Sequence, residues 1–216
     1  SGLDPQKLTE VSKRMKAFVD DGTISGAVTL VARHGHVVSL EAVGLADITG
    51  NQPMHANNLF WIASMTKPIT ALAVLMLQDE GKLNVEDAVE KYLPEFKGQW
   101  LVENRTPDTL SLKRPARPIT LRDLLTHTSG LGDVPTPRTD CSLAELAMAY
   151  SQQSLRFAPG SKWEYSNPGI NTLGRLVEVA SGQKFADFLE QRIFKPLGMT
   201  DTTFWPTPEQ AKRIAK

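Results

Sequence analysis

The sequence predicts an α+β fold, one early β-hairpin followed by a succession of helices. Three observations carry this reading. Residues 26–33 and 37–43 are two runs rich in β-branched and small apolar side chains, joined by the turn-forming pair His34-Gly35. Residues 64–80 form a long, strongly apolar stretch with no internal glycine. Beyond residue 119, glycines and prolines divide the chain into helix-length segments.

The elements follow in order. Leu8, Val11, Met15, Phe18 and Val19 recur at helical spacing and predict an amphipathic helix over 3–21, stopped at Asp21-Gly22. The hairpin comes next. Residues 44–58 carry Gly44, Asp47, Gly50, Asn51 and Pro53, and read as turn and loop. The segment 64–80 is apolar on most faces, which predicts a central, buried helix ended by Gly81. A short helix is expected over 84–92, stopped near Pro94. Residues 97–118 read as irregular: Gly98, Pro107, Pro115 and Pro118 sit among Lys97, Arg105, Lys113, Arg114 and Arg117.

Thr120-Leu121-Arg122-Asp123 is a capping box with aspartate in the usual glutamate position, opening a short helix to Leu125. His127 to Gly130 reads as a turn. Helices are expected over 142–151, over 171–181 with Gly182 as its stop, and over 185–193. No convincing strand follows the hairpin. A two-stranded sheet is marginal alone, so further strands are expected from outside this stretch.

Composition narrows the classes of function. Lys plus Arg and Asp plus Glu are both 24, so net charge gives no basic face for nucleic acid. The longest strongly apolar run, 69–77, falls far short of the ~20 residues of a membrane span. The single cysteine, Cys141, allows no internal disulfide and reads as a small apolar residue.

The chemistry-bearing residues begin at Ser64-Met65-Thr66-Lys67. A serine hydroxyl is a poor nucleophile until a base takes its proton. Positions i and i+3 of a helix share a face, so Ser64 at the helix start would hold its hydroxyl beside the Lys67 amine. Burial would lower the Lys67 pKa towards that of a usable base. The helix N-terminus offers unpaired N–H groups to a developing oxyanion. The pattern alone is weak, because Ser-x-x-Lys occurs again at Ser181-Gly182-Gln183-Lys184, where a broken helix end makes it a chance match. The bland reading of Ser64 is a helix cap with a surface lysine. Against it, Lys67 precedes Pro68 inside a very apolar segment.

Tyr165-Ser166-Asn167 follows Pro159-Gly160 and precedes Pro168-Gly169, which predicts a constrained loop. A tyrosine can relay a proton when a nearby cation lowers its pKa. Asn167 could hold Lys67 and donate to a substrate carbonyl. Alone, this tripeptide is also what a buried tyrosine beside a turn would look like.

Together the two motifs resemble a known family. Phe60-Trp61-Ile62-Ala63-Ser64-Met65-Thr66-Lys67 is followed by Gly81-Lys82-Leu83-Asn84 and Val89-Glu90-Lys91-Tyr92-Leu93-Pro94. Then come Ile119-Thr120-Leu121-Arg122-Asp123-Leu124-Leu125-Thr126-His127-Thr128-Ser129-Gly130-Leu131, Phe157-Ala158-Pro159-Gly160 and Tyr165-Ser166-Asn167. In this order and at these distances they resemble the penicillin-binding, serine β-lactamase-like proteins: class C β-lactamases, D-alanyl-D-alanine carboxypeptidases and β-lactamase-like carboxylesterases. The resemblance covers about residues 20–205. It implies a β-lactamase/transpeptidase-like fold, a helical domain packed against an antiparallel sheet. Residues 1–216 would form one such region, all-helical over about 64–200, with the hairpin of about 26–43 in the α/β part. It implies acylation of Ser64, proton transfer by Lys67 and Tyr165, and substrate binding by Asn167.

One departure stands out. The family's third motif, Lys-Thr-Gly or His-x-Gly on a strand beside the nucleophile, is absent, and His-x-Gly fails at His34, His36, His55 and His127. In the family that strand, which supplies the second oxyanion N–H, comes after the point where this chain stops. The expected partner is therefore a C-terminal companion segment or chain, alongside a small-molecule ester, β-lactam or peptidoglycan-like substrate. No cofactor and no metal are expected. His34 and His36 would share a strand face, but no third ligand is evident, and zinc needs three or four. His127 as a triad base would want a Gly-x-Ser-x-Gly elbow, which the chain lacks, so it reads as part of a structural turn. The basic residues of 105–117 read as a solvated loop. Two functional readings stand. One is a serine hydrolase, leaning towards a carboxylesterase or a broad β-lactamase-like hydrolase because Phe60, Trp61 and the 97–118 loop suit a roomy apolar pocket. The other is a non-catalytic binding or scaffold relative, for fold does not fix function. The resemblance implies a periplasmic or secreted setting and leaves a cytoplasmic one open.

Overall fold

Asp4 accepts a hydrogen bond from the Gln6 N–H, and Pro5 takes the first helical position, where its missing N–H costs nothing. These two features start α1 (Pro5–Asp20). The computed structural model describes residues 2–134 and 140–216. The chain divides into two units, Ser1–Ile62 with Thr203–Lys216, and Ala63–Thr202.

In the first unit, β1 (Gly26–Arg33) and β2 (His36–Asp47) pair antiparallel, from Gly26 opposite Gly44 to Leu30 opposite Leu40, with a bulge between Val31 and Ala32. The second strand runs past Val43 to Asp47 and pairs there with the two-residue β3 (Gln52–Pro53), so the loop expected over 44–58 is shorter. Gly44 marks a tight crossing: its φ is 75°, and a Cβ would lie 2.4 Å from the Ser25 carbonyl oxygen. A short helix at Pro208–Ala211, not anticipated from sequence, is opened by a capping box of Thr207 and Gln210.

The second unit holds the larger core. It opens with a 3₁₀ turn, Ala63–Met65, that leads into α2 (Thr66–Asp79). α2 buries Thr70, Ala73, Val74 and Leu77, while Leu72 and Leu75 are each 44% exposed. The helix expected to be central and buried, with most of its faces apolar, is therefore buried along one stripe, because its apolar residues exceed the stripe that the core touches. The remaining helices are α3 (Leu121–Leu125), α4 (Leu143–Ser151), α5 (Asn167–Ser181) and α6 (Phe185–Leu189), the last continuing into a π turn over Glu190–Phe194. Leu77, Leu121, Leu124, Leu173, Leu176 and Phe188 meet in the core.

Two sequence expectations fail here. The helix expected over 84–92 is only a 3₁₀ turn, Val89–Lys91. Ala88 is extended and bridges to Thr120, and the Val89 N–H donates to the Ile119 carbonyl at 2.9 Å. That pairing removes the backbone groups a helix would need. The region 97–118 is not irregular throughout. β4 (Leu101–Arg105) and β5 (Leu110–Lys113) pair antiparallel around a turn in which the Thr106 and Thr109 side chains bond each other at 2.8 Å. The region about 64–200 is therefore not all-helical.

α3 anchors the turn that follows it. Thr120 and Asp123 close the capping box that the sequence suggested. Asp123 also takes both guanidinium nitrogens of Arg117, at 2.5 and 2.9 Å. Burial alone would push its carboxyl up, but Arg117 and the bonds from Thr120 outweigh this and hold it below the ordinary carboxylate range. The Thr128 N–H donates to the Asp123 carbonyl at 2.8 Å, which fixes the turn at His127.

Candidate active site

Ser64 sits in the 3₁₀ turn just ahead of α2, one turn before Lys67. Ala63, immediately before it, has φ 44°, a conformation that costs free energy for any residue with a Cβ. Pro68 is the third residue of α2, among the first four whose N–H groups have no partner within a helix, so it does not interrupt the segment. Ser64 is exposed and Lys67 half-buried. The Lys67 Nζ donates to the Ser64 Oγ at 3.1 Å.

Tyr165 reaches the same oxygen from a segment 101 positions away, its hydroxyl 2.7 Å from the Ser64 Oγ. The Lys67 Nζ lies 4.6 Å from the Tyr165 ring centroid. The Lys67 ammonium beside the phenol, then the bond to Ser64, lowers the Tyr165 pKa from its ordinary 10.0. The structure thus brings together Ser64, Lys67 and Tyr165.

The local sequence explains how Tyr165 is presented. Ser166 caps α5, its Oγ accepting from the Gly169 N–H at 3.1 Å, and Pro168 occupies the second helical position. α5 therefore begins at Asn167, not Asn171. Pro168-Gly169, read as the end of a constrained loop, instead lies in the first turn of the helix, where a missing proline N–H costs nothing. Tyr165 is the residue immediately before the cap. Asn167 is the first residue of α5 and exposed; among the described residues no hydrogen bond ties its amide to Lys67.

Sequence reasoning set one neighbour aside. His127 stacks on Tyr165, ring centroids 4.8 Å apart and planes 30° apart, and meets the edge of Trp163 at 6.1 Å. Its Nδ1 accepts from the Ser166 N–H at 3.1 Å, 39 residues along the chain. Burial, then the charge of Lys67, pushes its imidazole below the ordinary 6.5. No local signal could have paired His127 with Tyr165, since the contact joins two distant turns.

The other residues singled out lie elsewhere. His34 and Gly35 form the hairpin turn, both at positive φ. Among the described residues, no group of three or more His, Cys, Asp or Glu side chains could hold a metal ion. Phe60 and Trp61 belong to the first unit and are exposed. Cys141 is a half-buried free thiol. In the basic stretch Arg114 stacks on Trp100, 3.6 Å from its ring centroid, and Arg117 pairs with Asp123.

Known proteins give this geometry a context. The chain is 36% identical to the esterase EstB of Burkholderia gladioli, over 94% of its own length and 55% of that protein. It is 33% identical to the lovastatin esterase of Penicillium rubens, over 92% of its length and 53% of the relative. It superposes on a class C β-lactamase structure with a TM-score of 0.79 at 25% identity, covering 100% of this chain and 56% of the other. The chain spans about half the length of the relatives it matches. The antiparallel α+β architecture is of the β-lactamase/transpeptidase kind. The family model described as Beta-lactamase matches residues 11–216, and the chain belongs to that family.

Proposed function

We propose that the complete protein is a serine hydrolase that works through an acyl-enzyme on Ser64, with carboxylic esters as its substrate class. One observation carries the reading: a single exposed hydroxyl, Ser64 Oγ, is hydrogen-bonded by both Lys67 and Tyr165. A serine that merely capped a helix would need neither partner.

The chemistry runs in two halves. Tyr165, as its phenolate, takes the Ser64 proton while Oγ attacks the ester carbonyl, and Lys67 stabilises the phenolate by charge. The tetrahedral oxyanion forms near the N-terminus of α2, where unpaired N–H groups favour negative charge. Collapse expels the alkoxide, which receives the proton from Tyr165 and leaves as the alcohol, with the acyl group on Ser64. Water then adds to that ester by the same proton path and releases the carboxylic acid and free Ser64.

Esters are favoured over other acyl donors because EstB and the lovastatin esterase carry that activity in their names. The match to a class C β-lactamase favours a β-lactam as a second substrate of the same serine. The test is labelling and turnover by the full-length protein. A fluorophosphonate probe is expected on Ser64, and p-nitrophenyl butyrate hydrolysis is expected to vanish in Ser64→Ala. Nitrocefin in parallel reads out the β-lactam arm. An unlabelled Ser64 with no ester turnover would leave only the scaffold reading, and turnover that survives Ser64→Ala would remove Ser64 as the nucleophile.

A further inference from the structure

Three contacts converge from one residue onto the segment that carries Tyr165. The His127 carbonyl accepts from the Glu164 N–H at 2.9 Å. Its Nδ1 accepts from the Ser166 N–H at 3.1 Å. Its ring stacks on the Tyr165 ring itself. The residues on both sides of Tyr165 are thus held by His127, and so is the ring between them.

The hold matters because Tyr165 is 45% exposed, so packing alone does not fix its ring. The phenol oxygen sits at the far end of a long side chain, where a small tilt becomes a large displacement. A displacement of ~1 Å at a reacting group can cost about 10²-fold in rate, and productive geometry tolerates only ~0.5 Å.

His127 is itself firmly seated. It has φ 60°, a conformation that favours glycine or asparagine over histidine. Strain of this sort persists where the surroundings over-determine it. Here the Thr128 N–H is bonded to the Asp123 carbonyl and the Thr128 carbonyl takes the Gly160 N–H, each at 2.8 Å.

We propose that His127 is a positioning residue for acyl transfer at Ser64: as a neutral imidazole it fixes Tyr165 through backbone and ring, keeping the phenol hydroxyl on the Ser64 Oγ. The proposal rests on the serine hydrolase reading and adds a residue that reading does not require. An accepting Nδ1 must carry no proton, so the hydrogen is on Nε2. Protonation would turn that acceptor into a donor, breaking the Ser166 bond, and would set a second cation beside Lys67. Among the described residues, the titratable groups facing the ring are Lys67 and Tyr165. Glu164, next to Tyr165, is paired with Arg156 and Lys162, and Asp123 below the turn is paired with Arg117.

The test compares His127→Ala, His127→Asn, Tyr165→Phe and the His127→Ala/Tyr165→Phe double variant in the full-length protein with p-nitrophenyl butyrate, with Ser64→Ala as control. His127→Ala should lower kcat by about 10- to 10²-fold with KM little changed, the mark of lost alignment in the transition state. His127→Asn should recover part of that loss, since its side-chain oxygen can accept from Ser166 and asparagine tolerates positive φ. In the Tyr165→Phe background, His127→Ala should cost nothing more, because both act through one hydroxyl. An unchanged kcat in His127→Ala, or losses that multiply in the double variant, overturns the proposal. If His127→Ala fails to fold, His127→Phe keeps a ring and removes the acceptor, and wild-type kcat there also overturns it. Activity surviving in Ser64→Ala would instead sink the hydrolase reading beneath it, so the two failures are distinguishable.

Discussion

The pattern Ser-x-x-Lys occurs twice in this chain, at Ser64–Lys67 and at Ser181–Lys184, and the two copies fold into different surroundings. At the first, a 3₁₀ turn runs into α2 and the Lys67 Nζ reaches the Ser64 Oγ at 3.1 Å. At the second, Ser181 ends α5, Gly182 turns the chain at φ 72°, and Lys184 stands exposed as the residue before α6. Ser181 Oγ accepts from the Gln183 N–H, and no hydrogen bond links it to Lys184 among the described residues. Helical spacing makes a serine–lysine pair only where the helix is continuous through it. The first copy gains a third partner, Tyr165, from a distant segment, which four residues of sequence cannot supply.

The largest expected effect separates the two lysines. Lys67→Ala should lower kcat/KM by about 10²–10⁴, the usual cost of a lost proton-transfer partner. Lys184→Ala should leave it within about twofold, as a surface substitution away from any site. Steady-state hydrolysis of p-nitrophenyl butyrate by the full-length variants measures both. Equal losses would mean that the continuous helix at the first copy has no chemical consequence.

A smaller effect sharpens the role of the third partner. With the Tyr165 pKa lowered from 10.0, the phenolate fraction rises as pH climbs through a value below 10. If the phenolate is the base, kcat/KM increases along that limb and levels off above it. Tyr165→Phe keeps the ring against His127 but removes the titrating hydroxyl. It should lower turnover by about 10-fold or more and erase the alkaline rise. A pH–rate profile of both proteins reads this directly. A limb that persists in Tyr165→Phe would hand the base role to Lys67.

The elements legible in the sequence were those set by local chemistry. The hairpin announced itself through β-branched runs around His34-Gly35, and the cap at Thr120 through its partner three residues on. The errors fell where distant pairing overrode local pattern. Residues 84–92 lose their helix because Ala88 pairs with Thr120. The strands of 101–113 leave little apolar signal because, apart from Leu101 and Val102, their residues are exposed. In the site, Ser64 and Lys67 could be joined by helical spacing alone. Tyr165 was marked by its constrained loop but tied to Ser64 only through the resemblance, and the imidazole against its ring had no signal in the sequence. The side chain of Asn167, read as a partner for Lys67, lies exposed at the start of α5.

The smallest effect tests what ends the second copy. Gly182 closes α5 with φ 72°, its N–H donating to the Glu178 carbonyl at 2.9 Å. A Cβ there would meet nothing within 4 Å, so Gly182→Ala introduces no clash and changes only backbone strain. A left-handed conformation costs an alanine roughly 1–2 kcal/mol, offset in part by the lower entropy of the unfolded alanine chain, about 0.4–1 kcal/mol. The expected net loss is about 1 kcal/mol, a fall of a few degrees in Tm for a domain of this size. Thermal denaturation followed by circular dichroism measures it, with p-nitrophenyl butyrate turnover per folded molecule unchanged. A Tm equal to or above that of the parent would show that α5 can run on past Ser181. The break that separates Lys184 from Ser181 would then belong to the following segment rather than to this glycine.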